Sequence, residues 1–399
     1  MKKENMIFRL KMEIASLVNE MISKLPDTLF LSDSTTFLDP SMASGQYVAA
    51  IEQRLRKHGH SDENIKGRVF GVEKNMLRVN YAIKKNKLVG TYSVDKNDVP
   101  SILICNMKFD CIVGNPPYQE MGESGKSIAG AGRKLWANFV KKSIISLKDD
   151  GYLSIVNPSG WRSIMNPLWK EIYQVYQISD VVLAPKVGWS AGVIVDHYLI
   201  QKIPYSKPTS VTHNGQTRLV DFRKVKGLVL YPTVDKILDF DGDKIIVENT
   251  QTHHHTREHV SDGENKKFCF PLKHTGASEL KWSSKKHQWQ NRKKVLISYT
   301  GYLCPIYDSG KLGTTQHCHA IFVSSKVEAD YIIRLLNSKL YKFVQSNTKT
   351  SGFNDIKILN LLPYPKGLSG NFTDADLYAH FNLTDDEIKL VESAIKDFI

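Results

Sequence analysis

The apolar run Phe109-Asp110-Cys111-Ile112-Val113-Gly114 stops at Asn115-Pro116-Pro117-Tyr118, and this stop constrains the chain more than any other stretch. A short apolar run closed by two prolines reads as a buried strand that cannot continue. Each proline fixes φ at about −65° and removes a backbone donor. The loop beyond such a strand is stiff. It sets an amide side chain and an aromatic ring beside exposed carbonyls, a combination that grips a planar amino group: acceptors in its plane, a ring on its face.

Around this strand, strand-like and helix-like segments alternate. Apolar residues at near-helical spacing predict an amphipathic helix over residues 7–24. Thr36 to Asp39 reads as a strand and Tyr47 to His58 as a helix. Arg68 to Glu73 is the next strand, followed by a helix from Asn75 to Lys85. A helix from Leu135 to Leu147 and a buried strand from Tyr152 to Val156 come after the Asn115 loop. Such alternation predicts an α/β fold, a doubly wound parallel sheet covered on both faces. Ligands of these sheets sit at the carboxyl ends of the strands. Asp39, Glu73 and Asn115 all fall at or just past strand ends, so they are expected on one rim.

After residue 200 the pattern changes. Pro204 to Pro208 reads as a connector, which divides the chain into residues 1–204 and 205–399. The second part is more irregular, with short β-like runs, a helix expected from Val327 to Phe343 and a last one from Asp385 to Ile399.

The net charge is +13 over 399 residues, a bias that a polyanionic partner explains. The five cysteines form no Cys-x-x-Cys pair, which fits free thiols in a reducing compartment. No run reaches the ~18–20 apolar residues of a membrane span. Met1-Lys2-Lys3-Glu4-Asn5 lacks the apolar stretch of a signal peptide. A cytoplasmic protein without membrane association is the expectation.

Residues 37–47 read as a strand, a small-residue turn and a helix start. Small residues let a ligand approach the backbone, and the helix start offers free N–H donors. The pattern is neither a dinucleotide fingerprint nor a phosphate-binding loop of the Gly-Lys-Ser type. Glu73 ends its strand 34 residues after Asp39 and can accept hydrogen bonds from two ribose hydroxyls. Asp95 is placed to meet an adenine amino group, with Asp98 as its competitor.

Taken in this order, the Asp39 turn, the acidic second strand and the Asn115 loop resemble the S-adenosylmethionine-dependent DNA adenine-N6 methyltransferases. The similarity is to the methylase family related to Eco57I, with the cofactor motif first, the catalytic motif second and the recognition region last. It covers residues 30–205 and continues more loosely through Leu336 to Leu340 and Leu361 to Pro365. The resemblance implies a Rossmann-like methyltransferase sheet followed by a mixed α/β target-recognition domain. It implies S-adenosylmethionine as cofactor, held by Asp39, Pro40, Ser44, Gly45, Glu73 and Asp95. Asn115 and the Pro116 carbonyl would accept from the target amino group, with Pro117 stiffening the loop and Tyr118 stacking on the base. Trp189 would cover its other face. The family's turn has glycine where this chain has Ala43, so a positive φ there would strain the loop.

The implied chemistry is physically demanding. Adenine's amino lone pair is delocalised into the ring, and two acceptors favour a more tetrahedral, nucleophilic nitrogen. Orientation and preorganised dipoles do this without a covalent intermediate or a metal. The base must leave the duplex, at a few kcal/mol, of which stacking on Tyr118 returns about 1–3.

The stretch Lys281 to Lys294 mixes cations with aromatics. Lys285, Lys286, Gln290, Arg292, Lys293 and Lys294 are its candidate contacts to double-stranded DNA; Lys349 to Asn354 is a smaller candidate loop. His253, His254, His255, His259, His317 and His319 have no finger-like spacing, so surface or DNA-backbone contacts are expected rather than a metal. Two other classes fit the tetrapeptide or the fold: a protein N5-glutamine methyltransferase, and a non-catalytic DNA-binding protein on a methyltransferase fold. With no nuclease constellation in view, a separate restriction nuclease is the expected partner, and a solitary or phage methylase is the other setting.

Overall fold

The structure, a computed structural model, describes residues 2–97, 99–103, 106–119, 135–163, 166–185, 194–225, 227–275, 280–349 and 353–395. Two compact units divide the chain, residues 1–228 and 229–399.

The first unit holds helices α1 (Lys2–Ser23), α2 (Thr28–Leu31), α3 (Gln46–Lys57), α4 (Asp62–Lys66), α5 (Met76–Asn86) and α6 (Leu135–Ser146). Its strands are β1 (Phe37–Asp39), β2 (Val69–Glu73), β3 (Thr91–Val94), β4 (Phe109–Gly114), β5 (Leu147–Pro158), β6 (Tyr176–Leu183), β7 (Val195–Pro204), β8 (Thr209–His213) and β9 (Gln216–Val220). They form one sheet in the order β3-β2-β1-β4-β5-β7-β6-β8-β9. From β3 to β5 all neighbours are parallel, and β7 runs antiparallel to both β5 and β6. Leu38 sits in register with Phe70 on one side and Ile112 on the other. The strand order therefore reverses between β1 and β4, the crevice where open α/β sheets bind ligands.

The core explains this topology. Phe37, Val48, Ile51, Val69 and Cys111 have no exposed surface, so α3 and the central strands bury their apolar residues together. Each large side chain buried this way contributes about 1.5–3 kcal/mol. Asn75 starts α5 by accepting from the N–H groups of Leu77 and Arg78, which fixes where β2 ends and the helix begins.

The expected boundary at 204/205 falls within the sheet. Thr209–His213 pairs with β6 in parallel and with β9 in a hairpin, so residues 205–228 belong to the first unit.

The second unit begins with α7 (Pro232–Leu238) and contains β10 (Val260–Ser261), β11 (Phe270–Lys273), β12 (Leu280–Ser283), β13 (Lys294–Ser298), β14 (Ile306–Asp308), β15 (Gly313–Thr314) and β16 (Cys318–Phe322). Helices α8 (Lys326–Asn337), α9 (Lys339–Thr348), α10 (Ile356–Leu359), α11 (Asp374–His380) and α12 (Asp385–Ile395) follow. The strands form sheets ordered β10-β12-β11-β15 and β14-β13-β16. The single helix expected from Val327 to Phe343 is two. Ser338 ends α8 by donating to the Leu335 carbonyl at 2.7 Å and starts α9 by accepting from the Tyr341 N–H at 3.3 Å. Among the described residues no helix is long and apolar enough to cross a membrane.

Candidate active site

Asp39 ends β1 with no exposed surface. Its Oδ1 accepts from the Ser41 N–H at 3.0 Å, while its Oδ2 and the Ser41 hydroxyl have no hydrogen-bond partner among the described residues. Burial, with the nearby Glu73 charge adding to it, pushes the Asp39 carboxyl up to about 7. Gly114 closes over this carboxyl from the end of β4, where a Cβ would lie 2.9 Å from Oδ1.

The turn after Asp39 is tightly held. The Met42 N–H donates to Val72 O at 2.8 Å, and the Asn86 amide donates to Ser44 O at the same distance. The Ser44 hydroxyl donates to Gln46 Oε1 at 2.9 Å. Ala43 takes φ 45°, in the left-handed region, which costs a residue with a Cβ about 1–2 kcal/mol. The strain expected at this position is present. Gly45, at φ 77°, stands at the start of α3, where a Cβ would meet Ala82 and Leu88 at 3.1 Å.

Glu73 ends β2. Its Oε1 accepts from the Asn75 N–H at 3.2 Å and lies 3.8 Å from the Arg78 guanidinium. Asp95 follows β3, and its N–H donates to Glu73 O at 3.1 Å. The Asp95 carboxylate accepts from the N–H groups of Asn97 at 2.9 Å and Ser101 at 2.5 Å. Partial burial raises its pKa, but these hydrogen bonds outweigh that and hold the group below the usual carboxylate range. Asp98 lies outside the described residues.

Asn115 leaves β4 half-buried, Pro116 is buried and Pro117 is exposed. Tyr118 donates its hydroxyl to Asn115 Oδ1 at 2.8 Å, and its ring packs against the sheet core. Burial raises the Tyr118 pKa further above its ordinary value, although the bond to Asn115 opposes this.

One cavity of about 380 Å³ joins these loops. Pro40, Ser41 and Ala43 line it from the β1 turn, Glu73, Lys74 and Arg78 from the β2 end, and Asp95, Asn97 and Pro100 from beyond β3. Asn115, Pro117 and Gln119 line it from the β4 loop, Leu135 and Phe139 from α6. Of the residues expected to hold a cofactor, Pro40, Glu73 and Asp95 therefore face one space with Asn115 and Pro117. Asp39 lies within the β1 end, and Ser44 and Gly45 hold the turn. Pro116 and Tyr118 support the loop without lining the cavity. Sequence reading passed over Ser41, Lys74, Arg78, Asn97 and Phe139. Lys74 and Arg78 were open to it, since they follow Glu73 within one helical turn of a strand end. Trp189 lies outside the described residues.

The second unit treats its polar residues differently. Lys294, expected to touch DNA, has no exposed surface. Its ammonium donates to Asp308 Oδ2 at 2.6 Å and to the Trp289 and Arg292 carbonyls at 2.9 and 3.1 Å. It is a core cation and is not available to a phosphate. Trp289 is buried beside it in a small apolar cluster. The Gln290 amide is spent within the loop, accepting from the His287 N–H and donating to Lys311 O. Arg292 is exposed with its guanidinium 3.3 Å from the centre of the Phe322 ring, and Lys285, Lys286 and Lys293 are exposed.

His253 and His319 are buried and hydrogen-bonded to the backbone carbonyls of Lys285 and Asn354, so the expectation of surface contacts fails for these two. Among the described residues no group of three or more His, Cys, Asp or Glu is placed to hold a metal ion. Residues 229–399 carry 22 Lys and Arg against 20 Asp and Glu, so most of the +13 belongs to the first unit.

No curated protein matches the chain. Among solved structures, it is similar to the type IIL restriction-modification enzyme MmeI in complex with DNA, at 12% identity over 98% of this chain and 74% of that one, with a TM-score of 0.47. It is similar to the type IIG restriction endonuclease BpuSI at 10% identity over 93% and 60%, with a TM-score of 0.41. A type I restriction-modification methyltransferase subunit from Streptococcus thermophilus matches at 19% identity over 53% and 50%, with a TM-score of 0.38. The chain spans about half the length of several such proteins. Residues 18–182, from α1 into β6, match the Eco57I restriction-modification methylase family.

Proposed function

We propose that the chain is a site-specific DNA methyltransferase that transfers a methyl group from S-adenosylmethionine to the N6 amino group of an adenine in double-stranded DNA. The observation that carries this reading is the shared cavity: Glu73 and Asp95 open onto the same space as Asn115 and Pro117. The donor set suits the cofactor. Asp39 Oδ2 and the Ser41 hydroxyl are buried and polar, and among the described residues they have no hydrogen-bond partner beside the turn that lines the cavity. A ligand carrying positive charge and N–H donors supplies what they lack. Glu73 would take the ribose hydroxyls and Asp95 the adenine end of the cofactor.

When bound, the cofactor supplies a methyl group on a positively charged sulfur. The chain's own residues do the rest. Asn115 Oδ1 accepts from the target amino group and orients its lone pair; Pro116, the second acceptor that the resemblance implies, does not line the cavity. The Pro-Pro backbone keeps the strand end that carries Asn115 fixed, so little reorganisation is needed during reaction. The base leaves the duplex to enter the cavity. The second unit finds the site through the exposed cations Lys285, Lys286, Arg292 and Lys293, and a separate nuclease would complete a restriction-modification pair.

The test is incubation with labelled S-adenosylmethionine and unmethylated DNA, followed by digestion to nucleosides. Labelled N6-methyladenine is the expected product. Label at cytosine N4 alone, or on protein alone, would overturn the reading.

A further inference from the structure

We propose that the Tyr118 hydroxyl is a positioning group that holds the Asn115 side-chain oxygen toward the target amino group and ties this acceptor to the aromatic ring. The role rests on the methyltransferase reading above.

An asparagine opening a turn commonly directs its side-chain oxygen to the N–H two residues on. Here that residue is Pro117, and the one before it is Pro116; neither has an N–H. The double proline thus denies Asn115 Oδ1 its usual backbone donors. Tyr118 replaces them, its hydroxyl donating to Oδ1 at 2.8 Å. A carbonyl oxygen accepts two hydrogen bonds, so one lone pair stays open for an incoming N–H. The two ends of an amide have nearly the same shape but opposite polarity. Turned over, Asn115 would present N–H groups to the N–H groups of its substrate, and the acceptor would be lost. The Tyr118 ring is itself fixed, since it packs against the sheet core. Its hydroxyl is therefore a stationary hydrogen-bond partner for the Asn115 amide. It stays protonated at neutral pH, because burial raises its pKa, with the bond to Asn115 opposing. The loop accordingly carries its own restraint on the Asn115 side chain.

The experiment compares full-length wild type with Tyr118→Phe, after the methylated site has been mapped on DNA of mixed sequence. Phenylalanine keeps the ring and removes only the donor. Single-turnover methylation is measured at saturating cofactor, with KM for DNA and with 2-aminopurine fluorescence at the target position. Loss of one hydrogen bond that orients a reacting group corresponds to roughly a tenfold lower rate. The expected result is that fall in rate with KM and base extrusion unchanged. Tyr118→Ala, which also removes the ring packed against the sheet core, should lower thermal stability as well, which separates the ring from its hydroxyl. An unchanged Tyr118→Phe rate overturns the positioning role while leaving the methyltransferase reading intact. A parallel loss of rate, DNA affinity and base extrusion in Tyr118→Phe also overturns it, in favour of a role in folding alone. A wild-type protein that places no methyl group on adenine removes the reading itself and this role with it.

Discussion

The loops at the strand ends of the first unit and the Lys281 to Lys294 stretch of the second are both rich in reactive side chains, yet they use them in opposite ways. At the β1, β2 and β4 ends the backbone stops being a sheet, and Pro40, Glu73 and Asn115 face a common cavity. In the second unit Lys294 and Trp289 turn inward, and Gln290 braces its own loop. A side chain past a strand end is steered by topology. A side chain in a basic loop goes wherever its neighbours can satisfy it.

The largest expected effect breaks the comparison on the second unit's side. Lys294→Met leaves Asp308 buried without its cation, and removing one partner of such a pair costs about 3–5 kcal/mol. Thermal unfolding should register that loss, whereas Lys285→Ala with Lys286→Ala should leave unfolding unchanged and reduce the salt dependence of DNA binding. If Lys294→Met unfolds normally and binds DNA poorly, the inward reading of this stretch is wrong.

Next in size is Asn115→Ala. Removing a preorganised group of this kind costs ~10²–10³ in rate. DNA binding by gel shift should remain, and equal loss of both would make Asn115 a structural residue.

Asp39 sharpens the contrast through pH. Its folded pKa of about 7 lies above the ordinary 3.8, so its contribution to stability without ligand is fully present below pH 3.8 and is lost as pH rises through 7. Cofactor affinity should run the opposite way. A ligand with positive charge requires the ionised carboxylate, so affinity should fall as pH drops below 7, with proton release on binding near neutrality. Calorimetry in buffers of different ionisation enthalpy measures this, and Asp39→Asn should remove the pH dependence. A pH dependence that persists in Asp39→Asn would assign it elsewhere.

The smallest effect belongs to Ala43. Ala43→Gly relieves a residue with a Cβ at φ 45° and should stabilise the protein by roughly 1 kcal/mol. Unchanged stability would mean that the turn relaxes around Ala43 at little cost.

These outcomes bear on what a sequence displays. The central sheet was readable because its strands are short apolar runs that end in acids or prolines, and the parallel order followed from the helices between them. The Asn115 loop was readable because Pro116 and Pro117 leave few alternatives. The β8–β9 hairpin was not: Thr209–His213 and Gln216–Val220 carry many polar residues, and their place in the sheet comes from pairing with β6. Nor was Ser338, where a hydroxyl serves two helices at once within a continuous helical pattern. Lys294 misled because its partner Asp308 arrives through the β13–β14 pairing, at Lys294↔Asp308, and not through nearby sequence.

The reversal of strand order between β1 and β4 also bears on how the protein is made. β1 pairs with β2, about thirty residues on, and with β4, more than seventy on. A chain emerging from synthesis can assemble the β1, β2 and β3 ends before residues 109–114 exist. The cavity needs β4 beside β1 and then α6, whose Leu135 and Phe139 also line it; pairing β4 with β1 is a long-range step that carries a loop-closure cost and tends to be slow. Cofactor loops and amide acceptor thus share one compartment only once β4 is in place, and a chain stalled before residue 109 would hold the pieces of the site without a working pocket.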